Sequence, residues 1–264
     1  MPISMGLQQY EVSAPPVAAR GLSYSDQELD DALTAEVHDI IHDSAGKEEL
    51  AEILGGIEGT DFSDAGIKAL LSPNADPEDW RVGEALAQAY LMVHRTCRFP
   101  WPGSRDLKNP ASSPAGTDLV GFLQDGIQHK FAFGEVKTST EQKWPPSLIY
   151  GRHGLKQQLE DLRDSIEHKD ALVRYLAAHA SGRSWEEQFK QAAKIYLTSK
   201  TNVAIFGILV RDVTPNADDL SARAKSLAKG APSDSRIELL AIYLPSGAIP
   251  TLPKRCQKGG TSKQ

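Results

Sequence analysis

The stretch Gly116 to Ser139, GTDLVGFLQDGIQHKFAFGEVKTS, decides how the rest of the chain is read. Two apolar, β-prone runs, Leu119 to Leu123 and Phe131 to Val136, flank Asp125-Gly126. An Asp-Gly pair between such runs is a strong short-range hairpin signal. With Asp125 and Gly126 as a two-residue loop, Gln124 faces Ile127 and Asp118 falls opposite Phe133. Side chains alternate faces with a period of two, so Asp118, Phe133, Glu135 and Lys137 share a face, with Glu135 diagonal to Asp118. Val120, Phe122 and Phe131 lie on that face nearer the turn, and Leu119, Leu123, Ala132 and Val136 on the other, so burial of both faces is expected. Three ionisable groups at the far end of a buried hairpin need a chemical reason.

Before the hairpin, residues 98 to 115 are rich in Pro, Gly and Ser and read as a long irregular loop, with Trp101 either a loop anchor or a base-stacking platform. Ahead of that loop a helix is expected from Trp80 to Cys97, opened by Asp76 as N-cap, Pro77, Glu78 and Asp79. Its apolar residues form two stripes, Val82, Ala85, Leu86, Ala89 and Val93 against Trp80, Ala87 and Leu91, which marks a buried helix. Glu84 lies among the second stripe and is the only acid between Asp79 and Asp106. A buried lone carboxylate is costly. Glu84 therefore either joins the hairpin groups or pairs with Arg81, Arg95 or a distant base.

Further upstream, Ser25-Asp-Gln-Glu is a capping-box pattern opening a helix to about Asp43, with short helices expected at Lys47 to Leu54 and Asp64 to Leu71. His38 and His42 have ligand-compatible spacing but lack the H-E-x-x-H pattern and a third ligand, and fit an ordinary surface or partner-facing pair. Residues 1 to 22, with Pro15 and Pro16, read as a loose lead-in. Downstream, a helix from about His153 to His168 begins with Arg152, His153, Lys156, Gln157 and Gln158. That start is either a solvated face or a place to hold a phosphodiester. Helices at about Ala171 to His179, Trp185 to Leu197 and Asp218 to Lys229, strands at Asn202 to Val213 and Ile237 to Leu244, and a frayed basic tail from Lys254 complete the expectation.

Composition narrows the class. Of the 264 residues, 40% are hydrophobic and 24% charged, ordinary for a globular protein. No apolar run approaches the ~20 residues of a membrane span and the N-terminus lacks a basic and an apolar leader region, so a cytoplasmic protein without membrane association is expected. Cys97 and Cys256 are the only cysteines and lack CxxC spacing, which argues against a disulfide framework or thiolate zinc site. The net charge of −6 is unevenly placed: residues 1 to 80 hold 3 Lys/Arg against 17 Asp/Glu, and residues 81 to 264 hold 26 against 18. The basic remainder suits a phosphate-bearing substrate, and the acidic front is either solvated surface, a shield or a partner face.

Phosphodiester hydrolysis needs an activated water and neutralisation of phosphate charge, which Mg²⁺ (or Mn²⁺) held by carboxylates supplies. Asp118 and Glu135 provide the carboxylates and the Val136 carbonyl a further hard oxygen. Lys137 can orient the water or offset the carboxylate charge. Asp118 in GTD, Glu135 and Lys137 in GEVK, and helix-borne Glu84 in GEAL together resemble the PD-(D/E)XK nuclease superfamily. That resemblance implies an α/β fold with an α-β-β-β-α-β mixed sheet flanked by helices, catalytic roles for Asp118, Glu135, Lys137 and Glu84, and metal ligation by Asp118, Glu135 and Val136. Some relatives carry a downstream Gln with Tyr four residues on; Asp161 and Leu162 stand four beyond Gln157 and Gln158, so that feature departs. The acidic helical front, GTDLVGF, FGEVKTS and the strand-rich C-terminal half are, more narrowly, similar to the nuclease-subunit (HamA) family of Hachiman anti-phage systems. This implies a bacterial cytoplasmic DNA endonuclease of little sequence specificity, regulated by a superfamily 2 helicase partner like HamB. The expected division is an acidic helical region at 1–75, a nuclease-like domain at 76–253 and a flexible tail at 254–264. The competing readings are a non-catalytic assembly subunit with a nuclease-like fold and a structural ion pair within a buried sheet.

Overall fold

The apolar runs ending near Ser139, Arg211 and Tyr243 lie side by side as parallel strands, and the rest of the protein is arranged around them. The computed structural model describes residues 2–54, 77–106 and 116–257. Chain order is β1 (Leu7–Ala14), β2 (Val17–Ser23), α1 (Asp26–Thr34), α2 (Glu36–Ile41), α3 (Ser44–Leu54), α4 (Asp79–Arg95), β3 (Cys97–Arg98), β4 (Leu119–Asp125), β5 (Gln128–Ser139), α5 (Leu155–Asp164), α6 (Ile166–Ala180), α7 (Glu186–Thr198), β6 (Ala204–Arg211), α8 (Ser221–Ala228), β7 (Arg236–Tyr243) and α9 (Leu252–Gln257). The protein is an α/β fold with one seven-stranded mixed sheet, ordered β1-β2-β7-β6-β5-β4-β3. β5, β6, β7 and β2 are mutually parallel, and β1 and the β3-β4 side run antiparallel to their neighbours.

The parallel centre explains the composition of its strands. Every residue of β6, AIFGILVR, is buried, as a strand covered on both faces requires. One face packs under α1, α2, α4 and α9 through Leu29, Leu33, Val37, Leu86 and Leu252. The other packs under α5 to α8 through Leu159, Leu176, Tyr196 and Leu227. Gly207 in β6 lets α5 lie close, since a methyl group there would meet Leu159 Cδ1 at 2.6 Å and Leu239 Cδ2 at 2.8 Å. The Ser25–Glu28 capping box is present at the start of α1.

Several expectations are corrected. Residues 7 to 23 are strands, not a loose lead-in: β1 and β2 form a hairpin across Pro15-Pro16, and β2 pairs with β7 from Val17↔Ile237 to Ser23↔Tyr243. The helix after Ser25 divides into α1 and α2 at Ala35. α4 ends at Arg95, where Thr96 turns into the left-handed region at φ 52°, so Cys97 belongs to β3. The helix expected over His153 to His168 is two helices separated at Ser165, whose hydroxyl caps α6 by accepting from the His168 N–H. Residues 254 to 257 are helical rather than frayed, with Arg255 bonded to Asp26 and Asp30. Asp76 and the helix expected at Asp64 to Leu71 lie outside the described residues.

The β4-β5 hairpin forms with a different register from the one expected. Asp125 pairs with Gln128, so Gly126-Ile127 is the loop, with Gly126 at φ 62°. A glycine in the first loop position with positive φ is the II′ solution, whereas an Asp-Gly loop would need positive φ at both. The pairing therefore moves by two residues. A shift of two leaves every side chain on its face.

Candidate active site

The ladder runs from Asp125↔Gln128 to Leu119↔Gly134, so one further step sets Asp118 directly abreast of Glu135 rather than opposite Phe133. Asp118 stands just beyond the end of β4, and its Oδ2 accepts the Val136 N–H at 2.8 Å. That backbone group has no strand partner because β4 has ended, and in an extended strand the carbonyl of the same residue leaves toward the same edge. Lys137 Nζ lies 3.7 Å from Glu135 Oε2 and 4.0 Å from Asp118 Oδ2. Asp118, Glu135, Val136 and Lys137 are thus brought together as the residue pattern requires.

Glu84 arrives from the opposite layer. Gly83 rests directly on Thr138 of β5, where a methyl group would overlap Thr138 Oγ1, and this close approach puts Glu84 beside the end of the hairpin. Of the alternative partners, Arg95 is taken by Glu238 at 2.6 Å. Burial and then the Asp118 charge push the Glu84 carboxyl up to about 8, against the attraction of Lys137 and Arg81. Burial and the Asp118 charge likewise push Glu135 up to about 9. Asp118 is also raised, by burial, with Lys137 and the Val136 N–H opposing. These carboxyls resist ionising together. One buried oxygen, Glu135 Oε2, has no hydrogen-bond partner. An orphaned acceptor among carboxyls that need positive charge suits a hard divalent cation. Even so, no set of three or more His, Cys, Asp or Glu side chains closes around a common point among the described residues. A cation here would be held by Asp118, Glu135 and backbone oxygen.

A cleft of about 690 Å³ opens at this edge of the sheet. It runs past the end of β4, between Arg81, Glu84 and Gln88 of α4 and His168, Tyr175 and His179 of α6, and is closed at one side by Trp101, Gly103 and Asp106. Asp118 and Thr117 line it, and Glu135, 2% exposed, stands behind Asp118. The Thr117 hydroxyl sits 3.0 Å from His168 Nε2 and is also hydrogen-bonded to Glu135, lowering its pKa against burial. The His168 contact was not legible, because 51 residues separate it from Thr117. Trp101 is a loop anchor, stacked on His179 and donating to Asp106.

The expected substrate group is not brought here. Arg152, His153 and Gln157 are exposed and Lys156 half-buried, Gln157 donates to Asp161, and none of the four lines the cleft. Gln158 is placed otherwise: it precedes Leu159, which packs over Gly207, the strand partner of Glu135, and its Oε1 is buried without a partner. The rings of His38 and His42 lie 4.3 Å apart, tilted by 53°, and belong to no three-ligand cluster among the described residues.

No protein-family model matches the chain, and no curated protein matches it. No described helix is long and apolar enough to cross a membrane.

Proposed function

We propose that this chain is a metal-dependent DNA endonuclease of the PD-(D/E)XK kind. The observation that carries the reading is the Asp118 carboxylate bonded to the Val136 N–H within a Glu-x-Lys strand whose lysine reaches both carboxylates. The order α4, β3, β4, β5, then α5 to α7, then β6 supports it, since it follows the α-β-β-β-α-β pattern. Asp118, Glu135 and the Val136 carbonyl would hold Mg²⁺ or Mn²⁺, which when bound supplies charge to the scissile phosphate and acidifies a water. Lys137, 4.0 Å from Asp118 and 3.7 Å from Glu135, is placed to orient that water. Glu84, held partly protonated near neutral pH, sits where it can take up or release a proton at the cleft floor. The same reading includes bacterial cytoplasmic action beside a superfamily 2 helicase subunit, as in Hachiman systems, on the layout of the sequence.

The competing reading is a non-catalytic assembly subunit, favoured by the lack of a closed three-ligand cluster among the described residues. Incubation of the purified chain with DNA and Mg²⁺ or Mn²⁺, alone and with its helicase partner, separates the two. Nicking or degradation that falls at least a hundredfold in Glu135→Ala/Lys137→Ala is the expected result. Undiminished cleavage by that double variant would remove the site assignment. Absence of Mg²⁺ binding by calorimetry, together with absence of cleavage, would favour assembly.

A further inference from the structure

The surroundings of Trp101 in the cleft wall are ionic. Two guanidinium groups lie over its ring, Arg105 at 4.9 Å and Arg183 at 5.2 Å from the centroid. Both are engaged by carboxylates from the acidic front of the chain. Asp43 accepts two 2.7 Å bonds from Arg105, and Glu49 of α3 pairs with Arg183 and reaches Arg105 at 3.7 Å. No side chain of α3 is buried among its described residues, and Leu50 and Ile53 are 37% and 70% exposed. The attachment of this helix to the cleft wall is therefore ionic rather than apolar, which places it at the easily opened end of the molecule.

A guanidinium fork donates to a carboxylate or a phosphodiester with the same geometry. We propose that Arg105 and Arg183 form a backbone-phosphate subsite over Trp101 of the cleft wall, and that Asp43 and Glu49 occupy it as an internal substitute for a nucleic-acid strand. The proposal rests on the cleft being the path of DNA, and it assigns a role to the charge asymmetry between the first 80 residues and the rest. Partly exposed ion pairs are individually weak, so a polyanion that gains counterion release can displace them. Arg105→Lys would not reproduce the grip, because the bidentate fork requires the planar group.

The test is binding rather than cleavage. A fluorescein-labelled single-stranded oligodeoxynucleotide is titrated in EDTA, with anisotropy as the readout, against the full chain and Asp43→Asn/Glu49→Gln. Removal of the two acids is expected to tighten binding about fivefold and to steepen the salt dependence by roughly 0.7 per arginine released. Adding Arg105→Ala/Arg183→Ala to the double variant is expected to abolish the gain, with thermal melting confirming that each variant is folded. Unchanged affinity in the double variant, a gain that survives Arg105→Ala/Arg183→Ala, or no DNA binding by any variant overturns the proposal. Metal-dependent cleavage can persist in any of the first two cases, so failure here is separate from failure of the nuclease reading. Tightened binding by a chain that never cleaves DNA would be the converse.

Discussion

Glu135 occupies a core position in a strand, yet it ends in a carboxyl whose buried Oε2 has no hydrogen-bond partner, with the Lys137 ammonium nitrogen 3.7 Å away. Burial, followed by the Asp118 charge, raises its pKa from 4.5 to about 9. A raised folded-state pKa means that the neutral form is favoured by folding. Its contribution to stability is present in full below the unfolded value and is lost as pH rises toward the folded one. Glu135→Gln stays neutral throughout. In EDTA, its melting temperature is therefore expected to equal the parent's near pH 4.5 and to exceed it by a margin that grows as the pH rises to 9. Differential scanning calorimetry across that range checks the sign, and a difference that does not vary with pH would contradict it.

At the scale of elements, α4 and β5 set the site by touching at Gly83 and Thr138. Alanine is a better helix former than glycine by roughly 1 kcal/mol, but here its methyl overlaps a buried hydroxyl. Overpacking is expected to win, with Gly83→Ala lowering stability by about 1–3 kcal/mol in urea titration. Thr138→Ala is expected to restore most of that loss. A Gly83→Ala protein at least as stable as the parent would show that the helix does not rest on the strand as described.

The same elements show what was legible in sequence. Asp118, Glu135 and Lys137 sharing a face could be read from alternation, and survived a wrong loop because the register moved by an even step. The β1-β2 hairpin could not be read so. VAARGLS has few large apolar residues, and β2 becomes a strand through pairing with β7, more than 200 residues away. Exposed Arg152 and His153 illustrate a third case, in which residue type suggested a role but the turn before α5 points the group away from the cleft lining.

Across the whole molecule, Glu238 of β7 is the ionic tie between layers. It accepts from Arg95 Nε at 2.7 and 2.9 Å, at the end of α4, and it also meets Arg20 of β2 and Arg236. Burial opposes its ionisation, but the Arg95 bonds and the three positive charges outweigh that and hold its pKa below the usual value. Removing one member of a buried pair strands the other. Glu238→Ala is expected to cost about 3–5 kcal/mol, measured by urea unfolding, whereas a cost below about 1 kcal/mol would mark the tie as a surface contact.

The pairing of β2 with β7 also orders events on the ribosome. The first hairpin emerges early and its inner edge has no parallel partner until residues 236 to 243 are made. Closing a loop of that length costs little more entropy than closing a shorter one, but it has to wait for the chain. The elements that carry Asp118, Glu135 and Lys137 are synthesised in between, so the β4-β5 hairpin can pair before the sheet beside it is complete. β1 and β2 are made before the other strands of this sheet and are among the last to find their place.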